Sequence, residues 1–197
     1  MKEKEIEERV MIDGKQFLEI EKYIQENFPH AKTIFQKNRY FDDKDGTITK
    51  NHTVLRIRSF RSCKQRELTY KVKGKEEDTE YNQSLSHYWF YQITRFSRLP
   101  EGLVKEQLLK EGVDISSLKM LVELFTRRIE VKFDDYLFVL DTNLYNGICD
   151  YNIEIESDIS REHAKEVILK YCKQFGLEYK DNYTSKSRRA FNSLNKN

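Results

Sequence analysis

The chain has 197 residues, 35 of them basic and 33 acidic, and its formal net charge of +2 argues against binding to nucleic acid through bulk charge. The three cysteines are widely spaced and odd in number, which fits neither a disulfide framework nor a paired-cysteine metal site. No run of about 18 apolar residues is present to span a membrane, and the charged N-terminus lacks the apolar run of a signal peptide. We therefore expect one cytoplasmic domain over residues 1–197 that binds neither membranes nor DNA.

The sequence predicts mostly strands, with a few helices between them. Residues 3–12 alternate apolar and charged side chains, as expected for a strand with one buried face, and residues 14–27 carry apolar side chains at helical spacing. Further strands are predicted at residues 31–43, 53–60, 66–74, 78–85, 117–133, 135–145 and 149–157. Further helices are predicted at residues 86–112, with a break near Pro100 and Gly102, and at residues 161–176 and 185–194. About eight strands with so few helices indicate a mostly antiparallel sheet or barrel and not a βαβ fold.

Several predicted strands carry two like charges on the face opposite their apolar side chains. The pairs are Glu5 with Glu7, Arg56 with Arg58, Lys71 with Lys73, and Glu154 with Glu156. For any single strand, a polar face in contact with water is the simpler interpretation. Like charges side by side repel each other, however, so their repetition on several strands favours an enclosed interior in which they have partners. A barrel of about eight strands encloses an interior wide enough for one small ligand.

The charged faces together offer two kinds of binding chemistry. Basic side chains suit a chain of phosphates, which arginine grips through pairs of oxygens, and carboxylates suit the hard cations Mg²⁺ and Mn²⁺. The candidate basic residues are Arg9, Arg56, Arg58, Lys71, Lys73, Arg128 and Lys186. The candidate acidic residues are Glu5, Glu7, Glu130, Glu154 and Glu156. The predicted ligand is therefore a polyphosphate held together with Mg²⁺ or Mn²⁺.

An ordered set of motifs resembles that of the CYTH proteins, also called triphosphate tunnel metalloenzymes. The motifs are EIEER (5–9), YFDD (40–43), LRIR (55–58), LTYKVKG (68–74), TRRIEV (126–131), LDTN (140–143), YNIEIE (151–156) and SKSRRAF (185–191). The resemblance covers nearly the whole chain and is greatest to the small single-domain CYTH proteins of Gram-positive bacteria. It implies an eight-stranded antiparallel closed barrel, the triphosphate tunnel, with helices packed outside.

The function that the resemblance implies is metal-dependent hydrolysis of a triphosphate, with inorganic triphosphate as the favoured substrate. Two alternatives stay open in the same tunnel, namely adenylate cyclisation and thiamine triphosphate hydrolysis. A third is non-catalytic binding of a polyphosphate or a nucleotide. The resemblance does not distinguish a monomer from a homodimer.

Residue roles follow from the resemblance motif by motif. The implied metal ligands are Glu5, Glu7, Glu154 and Glu156. The implied phosphate-binding residues are Arg9, Arg56, Arg58, Lys71, Lys73 and Arg128, together with Lys186 from the C-terminal helix. Either a second metal ion or a carboxylate, Glu5 or Glu154, is expected to activate the attacking water. Two positions depart from the family pattern, Arg9 in place of a lysine and Asn152 in place of a glutamate, and both bear on substrate or metal preference.

Overall fold

The computed structural model describes residues 1–74, 77–180 and 184–194, and a nine-stranded antiparallel sheet dominates these residues. The strands are β1 (Lys2–Glu5), β2 (Glu7–Ile12), β3 (Lys32–Asp42), β4 (Val54–Phe60), β5 (Arg66–Val72), β6 (Asp78–Ser84), β7 (Lys119–Lys132), β8 (Tyr136–Tyr145) and β9 (Ile148–Ser157). The helices are α1 (Gly14–Asn27), α2 (Thr47–Lys50), α3 (His87–Phe96), α4 (Leu103–Lys110), α5 (Arg161–Phe175) and α6 (Lys186–Leu194), and a short 3-10 helix covers Ile115–Ser117. None of the described helices combines the length and the apolar composition needed to cross a membrane.

The sheet curls until its two edges meet at the N-terminal segment. The strand order is β1-β6-β5-β4-β3-β7-β8-β9-β2, so the edge strands β1 and β2 are consecutive in the chain, with only Ile6 between them. Glu5 is paired with Asp78 on one edge, and Glu7 is paired with Glu156 on the other. The prediction of a mostly antiparallel sheet is confirmed. The predicted count of eight strands becomes nine, because the segment predicted as one strand changes partner at Ile6.

The apolar faces of the strands point outward and are covered by helices. One cluster joins β2, β7, β8 and β9 to α1 and α5, with Val10, Ile20 and Ile168 fully buried within it. A second cluster includes Leu55 of β4 and Val104 of α4. Burying each such aliphatic side chain contributes about 1.5–3 kcal/mol. Because the apolar faces are outside, the charged faces of the same strands line the interior of the curled sheet.

Local hydrogen bonds set the helix ends. Helix α1 begins with a capping box in which Asp13 and Gln16 each accept from the backbone N–H of the other. Ser160 is the N-cap residue of helix α5, and its side chain accepts from the N–H of residue 163. Gly176 is the C-cap residue and has a φ of 62°. These caps agree with the helix bounds predicted from the sequence.

Helix α2 was not predicted, because its four residues are too few to show a helical period. It is held by the side chains of Asp42 and Asp43, which accept from the backbone N–H groups of residues 45, 47, 48 and 49. Burial alone would raise the pKa of Asp43, but these hydrogen bonds lower it. The two aspartates therefore organise the connection that leads from β3 into β4.

Candidate active site in the charged interior

The interior of the curled sheet contains a cavity of about 1140 Å³. All of the residues predicted to act in binding or catalysis line it, namely Glu5, Glu7, Arg9, Arg56, Arg58, Lys71, Lys73, Arg128, Glu154, Glu156 and Lys186. The described lining includes eleven basic and eight acidic side chains, so basic groups are in excess. The like-charged pairs therefore face one shared space, and that space is complementary to an anionic ligand.

An acidic cluster lies where β1, β2 and β6 meet. Carboxylate oxygens of Glu5, Glu7 and Asp78 all lie within 4.8 Å of one another. The Lys71 ammonium contacts Glu5 and lies 3.1 Å from Asp78 and 3.7 Å from both Glu7 and Glu80. Burial alone would lower the pKa of Lys71, but these carboxylates raise it well above its ordinary value. Three clustered carboxylates offer the oxygen donors that Mg²⁺ and Mn²⁺ prefer, so the donor set fits a divalent cation.

Glu154 lies deep in the interior, with its side chain only 1% exposed. It accepts hydrogen bonds from Arg9, from Arg128 at 2.9 Å and from Lys186 at 2.8 Å. Burial alone would raise the pKa of Glu154, but the three cations hold it well below its ordinary value. Glu154 is therefore a shared hydrogen-bond acceptor for three cationic side chains. Its roles in metal binding and catalysis remain predictions.

Glu156 has a different environment, although it is only two residues further along β9. It accepts a hydrogen bond from Arg128 at 2.9 Å. Burial raises the pKa of Glu156 to about 7, helped by the nearby carboxylates of Glu5 and Glu154 and opposed by Arg128. A carboxylate that titrates near neutral pH is suited to accept a proton during a reaction.

The two arginines of β4 differ in whether a carboxylate compensates their charge. Arg56 lies 3.3 Å from both oxygens of Glu80. Arg58 donates only to the side-chain oxygen of Asn38, at 3.1 Å, and no carboxylate among the described residues is within ion-pair distance of it. Burial lowers the pKa of Arg58 to about 10, helped by the charges of Arg56 and Arg128. A half-buried guanidinium without a counter-ion marks a position where an anion is stabilised.

Comparison with known proteins adds to this geometry. The family model of the CYTH domain matches residues 3–185. The chain belongs to the CYTH domain family. A relative named "Putative triphosphatase YjbK", from Bacillus subtilis, is 31% identical over 177 residues, which cover 90% of this chain and 89% of that protein. These findings confirm the resemblance inferred from the order of the motifs.

Solved structures agree with the assignment. A putative adenylate cyclase from Bacillus halodurans is 29% identical and superimposes with a TM-score of 0.85, covering 96% of this chain and 98% of the other. A putative adenylyl cyclase from Hippeastrum, HpAC1, is described as revealing a dominant triphosphatase activity. It is 20% identical with a TM-score of 0.77, covering 98% of this chain and 96% of the other, and this likeness shows the CYTH fold alone.

Three acidic residues of this CYTH domain line or adjoin the cavity although the sequence analysis assigned them no role. Asp78 and Glu80 lie on β6, where few apolar residues mark an inner and an outer face. Asp141 of β8 is fully buried and accepts two hydrogen bonds from Arg128, both at 3.0 Å. The alternation of Asp141 with the buried residues 138 and 140 was the available signal that it faces inward.

The departure at Asn152 takes part in a different set of contacts. Its side chain is buried, and its oxygen accepts from Asn143 at 2.8 Å and from Arg189 at 3.1 Å. The Asn152 side-chain nitrogen is buried and has no partner among the described protein atoms. In this CYTH domain, Asn152 therefore lies in the contact between β9 and α6, away from the cluster of Glu5 and Glu7.

Proposed function

We propose that this CYTH domain is a divalent-metal-dependent triphosphatase that hydrolyses inorganic triphosphate in its interior cavity. The observation that carries the proposal is Arg58, which lies half-buried beside Arg56 and Arg128 with only a neutral hydrogen-bond partner among the described residues. Because a charge shielded from water and left without a counter-ion is destabilising, phosphate oxygens provide the partner that the described residues do not. The name of the Bacillus subtilis relative and the triphosphatase activity described for the Hippeastrum protein support the same chemistry.

The basic side chains give the substrate its position. Arg56 and Arg58 are two residues apart on β4, and Arg128 approaches from β7, so phosphate oxygens meet guanidinium groups from two strands. Planar guanidinium groups bind such oxygens in pairs, which fixes the orientation as well as the location of the chain of phosphates. Lys73 is exposed and lines the same cavity just beyond the end of β5, where it meets a phosphate at the entrance.

The acidic cluster would hold the metal ion. Glu5, Glu7 and Asp78 are the proposed ligands, and Mg²⁺ is favoured over zinc because all three donors are carboxylate oxygens. A divalent ion held by these carboxylates would supply charge neutralisation for phosphate oxygens and would make a water molecule more acidic. Lys71 contacts the same carboxylates and keeps part of their charge compensated.

Glu156 is the proposed proton acceptor for the water that attacks the terminal phosphorus. Its pKa of about 7 allows it to be ionised and still basic near neutral pH. Glu154, one of the two residues predicted for this step, is less suited because three cations depress its pKa. Arg128 contacts both Glu154 and Glu156. The same guanidinium therefore binds phosphate and lies beside the proposed proton acceptor. The leaving diphosphate is stabilised by the remaining arginines.

The test is phosphate release from a panel of triphosphates, with Mg²⁺ or Mn²⁺ and with EDTA as the control. We expect inorganic triphosphate to be hydrolysed with a higher kcat/KM than ATP or thiamine triphosphate, and only with the metal present. Formation of cyclic AMP from ATP at a higher kcat/KM would favour the cyclase alternative. Binding of triphosphate without any turnover would favour a non-catalytic binder. Either outcome would contradict the proposed function.

A further inference from the structure

Helix α6 closes over the interior, and ion pairs of Arg189 and Lys186 attach it to β9. Arg189 donates to both oxygens of Asp150, from Nε at 2.7 Å and from Nη2 at 3.0 Å. The two side chains are 12% and 16% exposed, so the pair is shielded from water on most sides. A bidentate pair of this kind fixes direction as well as distance, because the two planar groups must align.

The Asp150 carboxylate is itself held in place. The hydroxyl of Tyr145 donates to it at 2.6 Å, and the side-chain amide of Asn143 donates at 3.0 Å. Burial alone would raise the pKa of Asp150, but the hydrogen bonds from Arg189 and Tyr145 lower it, so the carboxylate stays ionised. Arg189 therefore pairs with a carboxylate of β9 that two side chains of β8 already hold in place.

Lys186 lies three residues before Arg189, one turn earlier on the same side of α6. Its ammonium contacts Asp141 and donates to Glu154 at 2.8 Å, and both carboxylates also bind Arg128. The next residue, Ala190, is fully buried in a cluster with Val122 and Leu124 of β7. A helix of nine residues is too short to be stable alone, so its orientation depends on these tertiary contacts.

We infer that Arg189 is a positioning residue for the triphosphate site. Through its bond to Asp150 it sets the orientation of α6, and this orientation delivers the Lys186 ammonium to Asp141 and Glu154. Without the Lys186 ammonium, Arg128 is the cation that Asp141 and Glu154 still share. The two carboxylates then attract Arg128 more strongly and draw it away from the cavity. Arg189 thus acts on the bound phosphates through Lys186 and does not contact them. The inference rests on the proposed function, because it concerns the same cavity.

The experiment is a double-mutant cycle on the full chain. The affinity for inorganic triphosphate is measured by calorimetry in EDTA for the wild type, Arg189→Ala, Lys186→Ala and the double variant. We expect each single variant to bind triphosphate about tenfold more weakly, the scale of one lost charge-assisted hydrogen bond. In the Lys186→Ala background, Arg189→Ala should change the affinity by less than about twofold, because it acts through the missing ammonium.

Two further variants guard against a general loss of structure. Arg189→Lys keeps the charge but not the paired hydrogen bonds, so it should lose part of the affinity and should repeat the cycle if Arg189→Ala does not fold. Ser193→Ala is the matched control, since it removes the contact of Asn146 with the other end of α6 at 2.8 Å, and it should bind triphosphate like the wild type.

The cycle has outcomes that overturn the inference. Fully additive losses from the two single variants would show that Arg189 does not act through Lys186. A loss for Ser193→Ala equal to that for Arg189→Ala would mean that any loosening of α6 suffices. Both results would leave the proposed function standing. A wild type that neither binds nor hydrolyses triphosphate would overturn the inference and the proposed function together.

Discussion

At the scale of single residues, the substitution Arg58→Ala tests whether Arg58 binds the ligand or stabilises the fold. Arg58→Ala removes a half-buried charge that has no carboxylate partner among the described residues, so the melting temperature without ligand should change little or rise. The same variant should lose most of the stabilisation that triphosphate gives, which for the wild type is about 2.7 kcal/mol at a hundredfold excess over Kd. Differential scanning fluorimetry with and without triphosphate measures both effects.

The control for this prediction is Arg56→Ala. Arg56 compensates Glu80, so its removal should lower the melting temperature even without ligand. A large loss for Arg58→Ala in the absence of ligand, with the response to triphosphate preserved, would identify Arg58 as a structural residue and contradict the prediction.

Glu156 predicts a pH dependence of stability with a definite sign. Its pKa is about 7 in the folded chain against an ordinary value of 4.5, so the folded state binds more protons between these pH values. The contribution of Glu156 to stability is therefore fully present below pH 4.5 and is lost as the pH rises through 7. Glu156→Gln mimics the protonated form, so in EDTA it should melt at a higher temperature than the wild type at pH 8 and at the same temperature near pH 4.5.

Glu154→Gln should behave in the opposite way. Its carboxylate has a depressed pKa and supports three cations, so the variant should be less stable than the wild type at neutral pH. Melting curves of both variants from pH 4 to 8 test the pair of predictions. If Glu156→Gln were destabilised at pH 8, the contact of Glu156 with Arg128 would outweigh its burial and the prediction would be wrong.

Sequence alternation identified many of the residues facing the cavity but not their partners. Arg9 stands directly opposite Glu154 on the neighbouring strand, and Lys71 stands opposite Glu80. Such pairs depend on the register between strands, and a two-residue period contains no information on register. For this reason the charged interior was predictable from the sequence, whereas the anchoring of Glu154 by three cations required the structure.

At the scale of secondary-structure elements, the same limit explains the division at Ile6. Glu5, Glu7 and Arg9 keep one uninterrupted alternation, so the segment reads as a single strand. The change of partner from β6 to β9 leaves the facing of each side chain unaltered and therefore leaves no trace in the pattern. The helix bounds were easier to predict, because caps such as Asp13 and Gly176 are local signals.

The end of α5 provides a prediction for an element. Gly176 has a φ of 62°, and a Cβ placed there would meet no atom within 4 Å, so the only obstacle to a side chain is the left-handed backbone. Gly176→Ala should therefore cost about 1 kcal/mol, or about 2–4 °C in melting temperature. Gly176→Asn should cost less, because asparagine tolerates this conformation. Equal melting temperatures for the wild type and Gly176→Ala would contradict the prediction.

At the scale of the whole molecule, the apolar side chains of the strands lie on the outside of the curled sheet and the charged side chains lie on its inside. The helices cover the outer, apolar side of the sheet, as in the buried cluster that contains Val10 of β2 and Ile20 of α1. The hydrophobic stabilisation is therefore supplied outside the curled sheet, and the charged interior is left available for a ligand. Changes in the interior should accordingly alter binding more than folding.

The acidic cluster tests this separation directly. Glu5→Gln combined with Glu7→Gln removes two of three clustered carboxylates, so the variant should lose both metal binding and triphosphate turnover. The fold should persist, because Lys71 keeps Asp78 at 3.1 Å and Glu80 at 3.7 Å as partners and the outer apolar clusters are untouched. Calorimetric titration with Mn²⁺, turnover at saturating Mg²⁺ and a melting curve measure the three properties. Glu3→Gln is the matched control, since Glu3 is an exposed carboxylate of the same strand β1. Unchanged turnover in the double variant would exclude the metal role of Glu5 and Glu7, and a collapse of its melting temperature would show that the interior charges also carry the fold.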